Sequence, residues 1–274
     1  MSLPPDKIAS LFNAGDYAHS PGFPAMRFAT QAAFEAFAGQ AQSPLAARAA
    51  YEETLGARAP SLMQSGTCAP CLRATSFTSA TAGGVVLRDG RCLPNWRETM
   101  ACDCPDPLNN RQRALLHFVQ AAGVLPWSRL LLLGAPSSLD AKLAAMVAEL
   151  VAMRPYHRAA AAAGGFHLAV SQDYLQFVPD LPAALAGVCA RLQAGGRFMF
   201  TVPFQPRMAT SSLLDSNGSA AQIPAEFHGQ SHQFGWDLLE MLRQAGFRDA
   251  SAHFYWSEEL GYLGPQNFIF RAVR

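Results

Sequence analysis

Residues 166–204 read FHLAVSQDYLQFVPDLPAALAGVCARLQAGGRFMFTVPF. Phe166 to Gln172 is a short apolar run of strand length, ending at Asp173 and Tyr174. A loop follows, then an apolar segment with helical spacing that contains Cys189. Gly195-Gly196 stops the helix, because glycine accepts the positive φ that a helix terminus needs. RFMFTVPF then reads as a second strand. Strand, helix and strand at this length form a βαβ unit, whose two strands run parallel. In an open parallel sheet, ligands bind beyond the carboxyl ends of the strands. Ser171 to Tyr174 and Thr201 to Phe204 are therefore expected on the functional rim.

Working outward, RLLLLG (129–134) predicts another strand, preceded by Pro126 and followed by APSS. Leu139 to Met153 has a helical pattern, and RPYHRAAAAAGG reads as a connector or short helix. NNRQRALLHFVQAAG predicts a helix that ends at Gly123. Downstream, a polar loop runs to about Gln222, and a helix lies between Gly235 and Gly246. HFYWSEELGYLGPQNFIFRAV supplies two last strands around a turn at 261–266, which add an antiparallel edge. Strands alternating with helices imply an α/β fold on a largely parallel sheet. Residues 1–60 carry Ala-rich helical patterns, with helices expected over Met26 to Phe37 and Ala46 to Leu55. Residues 61–107 lose that periodicity to Gly, Thr, Ser and Cys, and a hairpin is expected to turn at Asp89-Gly90. Three parts follow: a helical segment 1–60, a cysteine-rich module 61–107 and an α/β domain 108–274.

The 274 residues are half hydrophobic and only 15% charged, so the chain is expected to be globular. A net charge of +1 with no basic run gives no electrostatic ground for a nucleic-acid partner. Leu130 to Leu133 and Ala144 to Met153 fall well short of the roughly 20 apolar residues that span a bilayer. MSLPPDKIAS lacks a signal-peptide pattern, so the expectation is a cytoplasmic protein with no membrane partner. In that setting, cysteines clustered between positions 68 and 104 argue for metal over disulfides. Cys68-x2-Cys71 and Cys102-x-Cys104 can offer four thiolates to a structural zinc ion. The second spacing is tight, so Cys92, Asp103 or Asp106 are substitute ligands. The competing reading is a set of reduced thiols packed as small apolar residues, which also fits the isolated Cys189.

Several of these segments, taken in order, resemble class I S-adenosylmethionine-dependent methyltransferases, type 11-like, in a bacterial group with an N-terminal cysteine segment. FHLAVSQDYLQFVPDLPAALAGVCARLQAGGRFMFTVPF is similar to that family's fourth strand, helix and fifth strand, with Ala194 in place of a proline before the two glycines. IPAEFHG, FGWDLLEMLRQAGF, YWSEELGYLG and NWRETMACDCPDPLNNRQRALL carry the rest of the likeness, from about Cys68 to Val273. The resemblance implies a Rossmann-like sheet of order 3-2-1-4-5-7-6. It also implies S-adenosylmethionine as cofactor and methyl transfer to a small-molecule or sugar substrate. It places Gly134, Ser171, Asp173 and Tyr174 around the cofactor. Glu226, His228 and Asp173 are the candidate acid–base residues, His being the side chain best poised for proton transfer near neutral pH. The bland readings are a backbone-bonded histidine and a strand-end aspartate bonding its own loop.

The pattern departs from the family where the cofactor binds. The expected loop is (D/E)-x-G-x-G, but LLLLGAPSSLD keeps only Gly134 and puts Pro136 at a loop glycine. Proline has no N–H and cannot take positive φ. No acid is found to hold the ribose at the end of a second strand. A complete βαβ unit takes roughly 30 residues. The interval from Gly134 to Phe166 therefore holds one crossover, and the sheet is expected to lack the two strands on that flank. Leu130 to Leu133 should pair directly with Leu168 to Val170. Two functions remain open: a methyltransferase, or a silent relative acting as a binding or assembly subunit. Tyr156 stacking on adenine would favour the first.

Overall fold

A computed structural model describes residues 19–20, 22–57, 62–81, 83–87, 89–90, 92–153, 164–215 and 230–274. The chain divides into two units. The first comprises Met1–Arg27, Ala32–Gly123 and Phe254–Asn267; the second comprises Phe28–Gln31, Val124–His253 and Phe268–Arg274.

The first unit opens with β1 (His19–Ser20) antiparallel to β2 (Phe23–Phe28). Met26 was expected in a helix and lies in β2, where it stands opposite His19 of β1. Helix α1 (Gln31–Gln40) follows, then α2 (Gln42–Gly56). Strands β3 (Leu62–Cys68) and β4 (Arg73–Ser79) form a hairpin with seven paired positions. The expected small hairpin is β5 (Val85–Val86) with β6 (Cys92–Leu93), turning through Gly90 at φ 83°. Helix α3 (Trp96–Thr99) leads into β7 (Ala101–Cys102), which pairs with β4 as a third strand.

Helix α4 (Asn110–Ala121) starts in a capping box. The Asn109 side chain accepts from Gln112 N–H, and the Gln112 side chain accepts from Asn109 N–H. It ends just before Gly123 at φ 71°. The stretch Phe254–Asn267 returns to this unit: Thr67 N–H donates to the Glu259 carbonyl at 2.8 Å. Glu52 on α2 is buried there too, accepting from Trp256 Nε1 and Gly264 N–H, each at 2.8 Å.

The second unit is the α/β layer. Its elements are β8 (Arg129–Leu133), α5 (Leu139–Ala144), β9 (Glu149–Met153), β10 (Phe166–Gln172), α6 (Leu181–Arg191) and β11 (Leu192–Thr201). The small pair β12 (Ser212–Asp215) and β13 (Gln230–Gln233) comes next. Then come α7 (Asp237–Gln244), β14 (Asp249–Tyr255) and β15 (Phe268–Val273). Six of these strands lie side by side in the order β14-β15-β11-β10-β8-β9. β8 is parallel to both β9 and β10, β10 is parallel to β11, and β15 is antiparallel to β11. In chain order this is the 2-1-4-5-7-6 part of the sheet that the sequence implied, with the antiparallel strand at the expected place.

The direct pairing of the first and fourth strands holds, with Leu130, Leu131 and Leu132 opposite Leu168, Ala169 and Val170. Leu130 to Leu133 are buried, as a parallel strand covered on both faces requires. The expected loss of both flanking strands does not hold. The helix expected over Leu139 to Met153 stops at Ala144, and Glu149–Met153 turns into a strand on the flank of β8. A short apolar run cannot be assigned to helix or strand by periodicity alone. Pairing with β8 satisfies the backbone of Glu149–Met153 and decides it. Residues 154–163, with Tyr156, lie outside the described residues. Among the described residues no helix is long and apolar enough to cross a membrane.

Candidate functional site

Two places bring chemistry-bearing residues together. One is the carboxyl rim of the sheet in the second unit. β8 ends at Leu133, and the backbone turns at Gly134 with φ 127°, which a side chain would strain. A Cβ at Gly134 would meet the Tyr174 side chain, 3.3 Å from its Cβ and 3.5 Å from its Cγ. Tyr174 is buried, so the space in front of the first-loop glycine is filled by this chain's own tyrosine. The rest of the loop closes on itself: Ser137 Oγ donates to Asp140 Oδ1 at 3.0 Å and accepts from Leu139 N–H.

Asp173 sits in the left-handed region at φ 43°, and its N–H donates to the Thr201 carbonyl at 3.0 Å. This ties the end of β10 to the end of β11. Ser171 and Thr201 are fully buried, and neither hydroxyl has a hydrogen-bond partner among the described residues. Gly134, Ser171, Asp173 and Tyr174 thus gather where β8 and β10 end. Glu226 and His228 lie outside the described residues. The second-strand acid is absent for a different reason than the sequence suggested. The strand is there as β9, but its carboxyl end carries buried Met153, followed in sequence by Arg154.

The other place is the cysteine cluster of the first unit. Cys68 ends β3, Cys71 closes the 3-10 turn Ala69–Cys71, and Leu72 follows at φ 52°. The sulfurs of Cys68, Cys71 and Cys104 lie within 4.8 Å of one another. Cys102, on β7, joins them: it shares a hydrogen bond with Cys68 and accepts N–H bonds from Leu108, at 3.5 Å, and from Cys104. Tetrahedral zinc with Zn–S near 2.3 Å spaces its sulfurs by about 3.8 Å, so Cys68, Cys71 and Cys104 need only a small contraction to hold such an ion, while Cys102 lies outside that mutual 4.8 Å group. The hydrogen bond from Cys68 holds Cys102 down at about 5. That same bond, together with burial, pushes Cys68 up.

Two of the substitute ligands have other partners. Cys92 Sγ lies 3.6 Å from the Thr81 carbonyl, and the Asp103 carboxylate takes a short hydrogen bond from Thr75. Thr75 Oγ1 also lies 3.7 Å from Cys104 Sγ; nothing in its spacing marked it as part of the cluster. On α4 the two arginines part ways. Arg111 makes a two-pronged ion pair with Glu98 at 2.9 and 2.7 Å, so it is not an anion site. Arg113 is fully buried.

No family model matches the chain, and no curated protein matches it. Solved structures resemble it distantly. A 1,6-didemethyltoxoflavin-N1-methyltransferase from Burkholderia thailandensis shares 18% identity over 60% of this chain and 77% of its own, with a TM-score of 0.40. A glycopeptide N-methyltransferase shares 13% over 60% and 89%, also at 0.40. An S-adenosylmethionine-dependent methyltransferase from Mesorhizobium loti shares 15% over 60% and 96%, at 0.35.

Proposed function

We propose that the chain is a methyltransferase-like α/β protein whose cofactor crevice has closed, and that it works as a binding or assembly subunit, not as a methyl-transfer enzyme. The observation that carries this reading is Tyr174 packed against Gly134, in the space where the resemblance puts the methionine part of S-adenosylmethionine. Pro136 removes a loop N–H, and Met153 stands where a carboxylate would hold the ribose diol. These residues do not fit the cofactor. Each hydrogen bond lost to a charged partner costs about 1.5–3 kcal/mol. Two such losses weaken binding by about two to four orders of magnitude.

Calorimetric titration of the full chain with S-adenosylmethionine tests it. The expected result is a dissociation constant in the millimolar range or no heat. A value of about 10 μM or tighter overturns the reading and restores the enzyme. That second reading is favoured by the two buried hydroxyls at the rim, Ser171 and Thr201. There, Asp173, or Glu226 and His228, would handle the proton of a small-molecule or sugar acceptor. It predicts that Ser171→Ala weakens a measurable affinity, whereas the subunit reading predicts no affinity to weaken.

A further inference from the structure

Arg113 poses a charge problem. Its guanidinium is fully buried, donates to the carbonyls of Leu260 at 2.6 Å, Gly261 at 2.9 Å and Met100 at 3.2 Å, and lies 4.2 Å from the Phe77 ring centroid. Among the described residues no carboxylate pairs with it. Carbonyls satisfy its two terminal nitrogens and a ring face solvates it in part, while Nε has no hydrogen-bond partner among the described residues, and a buried cation with no counter-charge is costly. Burial disfavours its charge, and its partners belong to the cysteine module: Met100 lies two residues before Cys102, and Phe77 stands opposite Cys102 between β4 and β7. The buried neighbours Tyr255 and Tyr262 supply no negative charge, since phenols ionise only near pH 10.

We propose that Cys68, Cys71, Cys102 and Cys104 bind one zinc ion, and that the buried guanidinium of Arg113 is the counter-charge to the resulting four-thiolate centre. As each sulfur binds, its S–H bond, where still present, breaks, a Zn–S bond forms, and the proton leaves to solvent. Four thiolates on one divalent ion carry a net charge of −2, of which Arg113 offsets one. The centre is closed, with four protein ligands and no open position, which makes it a structural site. Arg113 then does two jobs with one side chain. It stabilises the thiolates, and its N–H groups hold the carbonyls of Leu260 and Gly261, so metal loading and the fixing of Phe254–Asn267 are one event. The inference does not depend on the methyl-transfer question.

The test uses the full chain, purified without chelator and reconstituted with zinc alone. Elemental analysis should give about one zinc per chain, and cobalt(II) exchanged for it should show the intense sulfur-to-cobalt absorption of a tetrahedral thiolate site. Competition with a chromophoric chelator then gives affinity. Arg113→Met should lower zinc affinity by about 10- to 100-fold, the usual cost of losing a group that supports the ligands. Arg113→Lys, which keeps the charge, should recover most of it, and Arg111→Met should leave it unchanged. A chain that takes up no zinc, or a thiol titration that finds two of these cysteines joined as a disulfide, overturns the site. Equal affinity in wild type and Arg113→Met overturns the counter-charge. If Arg113→Met does not fold, cobalt substitution in the wild type still decides the site, and Arg113→Gln, a second uncharged variant, takes its place in the affinity comparison, with affinity equal to wild type again overturning the counter-charge.

Discussion

At Gly66 the hairpin passes so close to Phe254–Asn267 that a Cβ would run into the Glu259 carbonyl and sit 2.8 Å from the Phe77 ring. Gly39, on α1, has open space around it. The same substitution should therefore have opposite signs. Gly66→Ala is expected to destabilise by about 1–3 kcal/mol through overpacking, while Gly39→Ala stabilises by about 0.5–1 kcal/mol through helix propensity. Denaturant melts of both variants check the sign. His117 makes a second prediction at this scale. Its ring contacts Phe23 and Tyr262, with Nδ1 3.1 Å from the tyrosine hydroxyl, and burial lowers its pKa below the ordinary 6.5. The folded state thus resists a proton that the unfolded chain accepts. The contribution is fully present above pH 6.5 and is lost as pH falls below it, at no more than about 1.4 kcal/mol per pH unit. Between pH 7 and pH 5.5 the wild type should lose more stability than His117→Asn, and equal slopes would refute this.

At the scale of elements, β8 and β9 show what sequence can and cannot decide. RLLLL is buried at nearly every position, and an unbroken apolar run between turn residues announces such a strand. ELVAM is only partly buried and continues an alanine-rich helical pattern, so its identity comes from the neighbour it pairs with. Leu131→Ala should cost about 2–5 kcal/mol, the range for a buried leucine, and Leu150→Ala less than half of that in the same melts. The candidate sites divide in the same way. That Cys68, Cys71 and Cys104 come together was legible because cysteines clustered in sequence tend to meet in space. The burial of Arg113 was not, since an arginine on a helix looks alike whether it meets water or backbone carbonyls. Nor was Tyr174, whose significance is a contact with Gly134, forty positions earlier in the chain, that no local pattern encodes. Where β10 ends was legible, because an apolar run of that length followed by polar residues announces the strand's carboxyl end.

For the whole molecule, the near balance of charge governs behaviour in solution. With a formal charge of +1 and an isoelectric point near 7.7, mutual repulsion between copies is weakest just above neutrality. At matched concentration and salt, light scattering should be highest near pH 7.7 and fall towards pH 6 and pH 9. A flat profile would mean that charge does not set its association. The molecule also folds back on itself: the β3–β4 hairpin and α4 are completed by the Glu259, Leu260 and Gly261 carbonyls. On the ribosome, those partners do not exist when the hairpin and α4 emerge. Everything from Val124 to Gly261 must first be polymerised, which at about 5–20 residues per second takes roughly seven to thirty seconds. For that interval the nascent chain holds its cysteines without the arginine's anchors in place, exposed to whichever reaches them first, a metal ion or an oxidant.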